Sequence, residues 1–122
     1  MTCTSCPAAT TKARSNTAGD ESTWETVEQL KQWLDEKDGL TSDIARLMRL
    51  VKLQEEVGEA AQAAMGALGA NPRKGKSHTW EDAEAEVCDV ILGGMVLPAT
   101  LTPNAAKRFE ERLRIIAERS LR

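Results

Sequence analysis

Two short acidic runs hold the residues best suited to chemistry. Glu55-Glu56-Val57-Gly58-Glu59 is an ExxE motif with an extra Glu in front, and Glu86-Val87-Cys88-Asp89 is an ExxD. Residues three apart on a helix share a face, so each run projects two carboxylates in one direction. If the two faces meet, four negative charges repel and raise one another's pKa. A hard divalent cation removes that penalty. A donor set of carboxylates, without His or Cys, points to Mg²⁺, with Mn²⁺ as a substitute, rather than to zinc. The candidate metal ligands are Glu56, Glu59, Glu86 and Asp89.

Either run alone is common on a solvated helix. Two features raise the pair. Val57, Ala60, Val87 and Val90 interleave with the acids, which sets the acids close to a core. Gly58 and Gly93 lie beside them, and a mid-helix Gly costs about 1 kcal/mol relative to Ala. Such glycines admit a close helix or a substrate; ordinary helix packing explains Gly58 equally well.

Four helices are predicted to position these acids. Ser22 and Glu25 have capping-box spacing ahead of Trp24, Val27, Leu30, Trp33 and Leu34, which recur at helical intervals up to Lys37. Thr41 or Ser42 caps the second helix, which carries an apolar stripe from Ile44 to Leu68 and stops at Gly69. At about 1.5 Å per residue it is on the order of 40 Å long, more than one small domain covers, and a partner subunit would resolve this. Residues 69–78 form a basic loop with Arg73, Lys74 and Lys76. Thr79 caps the third helix, with Glu81 and Asp82 in its first turn, and Pro98 ends or kinks it. Thr102-Pro103 opens a fourth helix with Phe109, Leu113 and Ile116 as its stripe and a basic outer face. No strand and no internal repeat is apparent. The expected fold is all-α, a four-helix bundle with the acids facing inward.

The totals agree with one domain. The chain has 122 residues, of which 41% are hydrophobic and only 3% aromatic, so its core must be aliphatic and Ala-rich. A net charge of −3 provides no basic surface for a nucleic-acid polymer. No apolar run reaches the roughly 18 residues of a membrane helix. Residues 1–21 lack Leu, Ile, Val and Phe and read as a disordered tail, leaving 22–122 as the domain. Cys3-x-x-Cys6 in that tail supplies only half of a structural zinc site, and with Cys88 the count is odd, so a reducing cytoplasmic setting is expected.

EExxE followed by ExxD on the next helix resembles the signature of the MazG-like all-α nucleoside triphosphate pyrophosphohydrolases. Residues Lys52 to Asp89 carry the likeness, and it extends more loosely from 24 to about 119. The resemblance implies that Glu56, Glu59, Glu86 and Asp89 hold magnesium, and that Glu55 binds a second metal or orients water, which makes Glu55 and Glu56 the catalytic pair. It implies cleavage of a nucleoside triphosphate to the monophosphate and pyrophosphate, a nucleotide house-cleaning role, and a homodimer or homotetramer. A dCTP or dUTP pyrophosphatase, a phosphoribosyl-ATP hydrolase, and a non-catalytic helical module are the rival readings.

Cations must then hold the phosphates. Arg73, Lys74 and Lys76 are the first candidates; Lys107, Arg108 and Arg112 are the second, although residues 106–112 lack the Asn of the family's last-helix stretch. Trp80, beside the basic loop, is the favoured residue for stacking on a base. Trp24 and Trp33 read as core, His78 as loop surface, and Cys88 as a small buried apolar residue.

Overall fold

A computed structural model describes the chain from residue 16, with side chains from residue 22. The expected tail and its Cys3-x-x-Cys6 lie outside the described residues, except that residues 16–21 are helical. Four α-helices follow in order: α1 (Asn16–Asp38), α2 (Ser42–Leu68), α3 (Trp80–Leu101) and α4 (Ala105–Ser120). No strand occurs among the described residues, and the all-α expectation holds.

The central helix is α3. It packs along α2 as an antiparallel hairpin, is crossed by α1, and meets α4 at its C-terminal end. Among the described residues the buried apolar side chains are all small, and the one large buried side chain is Arg49. Val27, Val96, Ala99 and Ala105 form the core, with Trp24, Leu34 and Met95 packed against it. Small residues let helix backbones approach, and a Cβ on Gly93 would come within 3.3 Å of Leu53 Cδ1 across the hairpin. Gly93 therefore serves α2–α3 packing. Gly58 differs, because nothing lies within 4 Å of a Cβ placed there.

Several boundaries depart from the sequence pattern. Ser22 does not cap α1; the helix begins upstream, and the Ser22 carbonyl accepts a bond from Thr26 Oγ1 at 3.0 Å. α2 starts after Thr41, as expected, without a side-chain cap. It ends at Gly69, whose φ of +67° is the left-handed value Gly adopts without strain. There Ala70 N donates to Met65 O and Gly69 N to Gly66 O, the Schellman pattern. Pro98 neither ends nor breaks α3, which runs on to Leu101. Near a C-terminus Pro deletes a single helical bond, and the Pro98 carbonyl still accepts from Thr102 N. α4 starts two residues later than the Thr102-Pro103 pair indicates. Thr102 Oγ1 instead accepts from Asn104 N, in a corner where the chain turns by 118°.

Thr79 closes a full capping box on α3. Its Oγ1 accepts from Asp82 N at 3.1 Å, and Asp82 Oδ2 accepts from Thr79 N at 2.9 Å. The Thr79 backbone N–H, helped by the Thr79 hydroxyl, holds the Asp82 carboxyl below its ordinary value. Thr79→Ala is expected to lower the unfolding free energy by about 1 kcal/mol, measured by urea titration, with no change in the denaturant slope.

Much apolar surface stays uncovered. Phe109 meets Trp24 with ring centroids 6.1 Å apart, yet Phe109, Leu113 and Ile116 of α4 are all exposed. Trp33, expected in the core, is 53% exposed, because the crossing of α1 over α3 directs Trp24, Val27 and Leu34 inward instead. Among the described residues no single helix is long and apolar enough to cross a membrane.

Candidate functional site

The antiparallel hairpin brings the two acidic runs together. Glu56 on α2 and Glu86 and Asp89 on α3 each offer a carboxylate oxygen within 4.8 Å of the others. Glu56 and Glu86 are half-buried, and Asp89 is exposed. Glu59 stands outside this trio, exposed on α2. Its charge still reaches Glu86. Desolvation, followed by the charges of Glu59, Asp89 and Glu56, raises the Glu86 carboxyl above its ordinary value; His78 partly opposes this. His78 itself is exposed in the loop, as expected, and bonds Ser77 Oγ through Nδ1 at 2.9 Å.

One cation sits among the acids. Lys52 Nζ lies 3.4 Å from Glu56 Oε1 and 3.7 Å from Glu55 Oε1. Glu56 leads in raising the Lys52 pKa, so the ammonium form is the stable one there. Glu55 is 62% exposed and points away from the trio toward Lys52 and solvent.

Beside the acids opens an apolar groove of about 380 Å³. Leu30, Trp33 and Leu34 of α1 form one wall, and Leu53, Leu92 and Val96 of the hairpin form the floor. Glu56, Asp89, Lys52 and Arg49 supply its polar margin. A volume of a few hundred Å³ with a mainly apolar lining and few polar groups suits a small organic molecule.

Arg49 anchors the groove. Its guanidinium is buried, with 8% of the side chain exposed. Nη1 pairs with Asp35 at 2.8 Å and donates to Thr100 Oγ1 at 3.0 Å; Nη2 pairs with Asp38 at 3.0 Å. One side chain on α2 thus ties the C-terminal turns of α1 and α3. Only Nε lacks a partner.

The remaining sequence candidates lie elsewhere. Arg73, Lys74 and Lys76 are exposed in the loop, which begins about 15 Å beyond Glu59 along α2 at 1.5 Å per residue. Trp80 is 59% exposed and does not line the groove. Lys107, Arg108 and Arg112 are exposed on α4. Cys88 is exposed rather than buried, because Glu86 and Val90 on its flanks turn toward the hairpin while it faces out.

Sequence reasoning missed Arg49, Lys52 and the groove role of Trp33. Signals for the first two were present. Arg49 falls four residues from both Ala45 and Leu53, on the inward face of α2, where a charge needs partners. Lys52 precedes Glu56 by one helical turn. Comparison of the chain with protein-family models, with curated proteins and with solved structures gives no match.

Proposed function

We propose that the chain is a Mg²⁺-dependent hydrolase that converts a nucleoside triphosphate to its monophosphate and pyrophosphate. The observation that carries this reading is the convergence of Glu56, Glu86 and Asp89 at the edge of a groove walled by Trp33. The donor set fits the ion. All three groups offer hard carboxylate oxygens within 4.8 Å of one another, a donor set that would hold a hard divalent cation. The double-motif resemblance to the MazG-like enzymes supports the choice of substrate. Bound at these oxygens, Mg²⁺ supplies charge neutralisation for phosphate oxygens and a lowered pKa for water.

The chain's own residues divide the rest of the work. Glu56, Glu86 and Asp89 would hold the ion, with Glu59 close enough to add negative potential. Water adds to the α-phosphorus as the bond to the bridging oxygen breaks and pyrophosphate leaves; Glu55, which faces Lys52 and solvent, is not placed to orient it. Lys52 is the cation closest to the acids and takes a phosphate oxygen. Trp33 with Leu30 and Leu92 receives the base, where apolar contact and stacking orient it.

A panel of standard and modified nucleoside triphosphates, assayed with Mg²⁺ and with Mn²⁺ for pyrophosphate release and product mass, tests the reading. Pyrophosphate and a monophosphate are expected in equal amounts. Orthophosphate as the product, or no turnover across the panel with either ion, would sink it.

A further inference from the structure

A second groove opens between α1 and α4, with Met95 of α3 at its base and a volume of about 800 Å³. Trp24, Phe109 and Leu113 make it apolar, and Phe109 and Leu113 are each 54% exposed. Ile116 continues the same stripe by one turn of α4. The charge around this groove is of one sign. Glu25, Glu28 and Glu110 line it, and no Lys or Arg among the described residues does. α4 is nonetheless rich in cations. Lys107, Arg108, Arg112 and Arg114 stand off the groove, on the rest of the helix surface. None of the three acids forms an ion pair with a described residue. Glu28 is half-buried, so it gives up hydration without a cation to offset the loss.

We propose that this groove docks a basic amphipathic helix of a different protein. Its apolar side chains would rest on Trp24, Phe109 and Leu113, and its Lys or Arg heads would meet Glu25, Glu28 and Glu110. Three observations select that occupant. The apolar stripe follows helical spacing along α4, the footprint of a helix laid in a groove. The acids at the margin attract Lys and Arg and repel an anionic lipid surface, which the basic far side of α4 alone would favour. Phe109, Leu113 and Ile116 together leave on the order of 250 Å² uncovered, well below the ~800 Å² per partner of a stable interface, which suits a releasable complex rather than a permanent subunit contact. None of these residues belongs to the carboxylate trio or lines the groove beside it.

The probes are three synthetic peptides of about 15 residues, long enough for roughly four helical turns. All carry Leu along one face; the residues beside it are Lys, Gln or Glu. Fluorescence anisotropy of the labelled Lys peptide with the full chain is expected to give a micromolar Kd that weakens as salt is raised. The Gln peptide is expected to bind about tenfold more weakly, and the Glu peptide more weakly still. This comparison uses the wild-type chain and does not depend on any variant folding. Leu113→Asp is expected to abolish binding. Glu28→Lys with Glu110→Lys is expected to reverse the order of the Lys and Glu peptides. Helical circular dichroism should stay unchanged in both variants. Equal affinity for the three peptides, no binding of the Lys peptide, or binding that Leu113→Asp leaves intact overturns the proposal. So does a second copy of the chain covering this face, seen as self-association lost in Leu113→Asp, or a preference for anionic phospholipid vesicles over the Lys peptide.

Discussion

Glu56→Gln is expected to lower Mg²⁺-supported turnover by about 10²–10³-fold and, in metal-free buffer, to raise the melting temperature. Both effects have one origin. The three carboxylates crowd within 4.8 Å, and Glu86, desolvated and then repelled by Glu59, Asp89 and Glu56, holds its proton to higher pH than a free Glu. The loss in rate follows from removing an anionic ligand whose electrostatic work is concentrated in the transition state. The gain in stability follows from removing a repulsive neighbour; it outweighs loss of the Lys52–Glu56 pair at 3.4 Å, whose cation is 62% exposed and screened by solvent. Its sign with pH is definite. A carboxyl whose folded pKa is raised favours the fold when protonated, so its contribution is present at low pH and lost as pH rises through the folded value. Metal-free wild type should therefore lose more stability over that rise than Glu86→Gln does, and Mg²⁺ should remove the difference. Identical melting profiles with and without EDTA, together with unchanged turnover of Glu56→Gln, would refute the shared cause.

Arg49→Met is expected to destabilise the chain by roughly 2–4 kcal/mol, a melting shift of about 10–20 °C for a domain of this size. The full penalty for breaking a buried ion pair applies to the guanidinium side only. Asp35 and Asp38 are 41% and 29% exposed and partly recover hydration once the cation is gone. The variant also loses the bond to Thr100, which frees the end of α3 from α2. Lys31 is the main cause of the lowered Asp35 carboxyl, with Arg49 adding to it. A depressed folded pKa gives stability that is present above the ordinary carboxylate value of 3.8 and lost as pH falls through the folded value. Arg49→Met should keep the Lys31 share of that acid sensitivity, and Asp35→Asn should lose it. Chemical denaturation between pH 2 and 7 reads both effects; a change below 1 kcal/mol at pH 7 would show that the node does not hold the helices together.

The periodic stripes made four helices legible, and punctuation located their ends where local chemistry decides them. Gly69 and Thr79 are such ends, since a left-handed turn and a capping box depend on neighbours in sequence. Asn16, Pro98 and Asn104 were not legible as boundaries, because a helix extends where packing or an adjacent corner allows it, whatever the local signal. Glu56, Glu86 and Asp89 were recoverable since helical spacing and one hairpin suffice to join them. The groove was not. It needs α1 laid across the hairpin, and that placement depends on Arg49 reaching Asp35 and Asp38. The same contact directs Trp33 to a groove wall, which spacing alone assigned to the core. Trp80 and the basic loop lie at the turn of the hairpin and do not line the groove.

The tight return after Gly69 also has a kinetic side. Ser77 N reaches back to Gly66 O across a short loop, and from that closure the contacts of α2 and α3 propagate in register. Loop-closure entropy is smallest for such near neighbours, and chains rich in local contacts cross their folding barrier fastest. The hairpin is therefore the natural nucleus. The carboxylate trio is assembled in that nucleus, before α1 and α4 need to dock, so its mutual repulsion is present in the earliest compact species as well as in the finished fold.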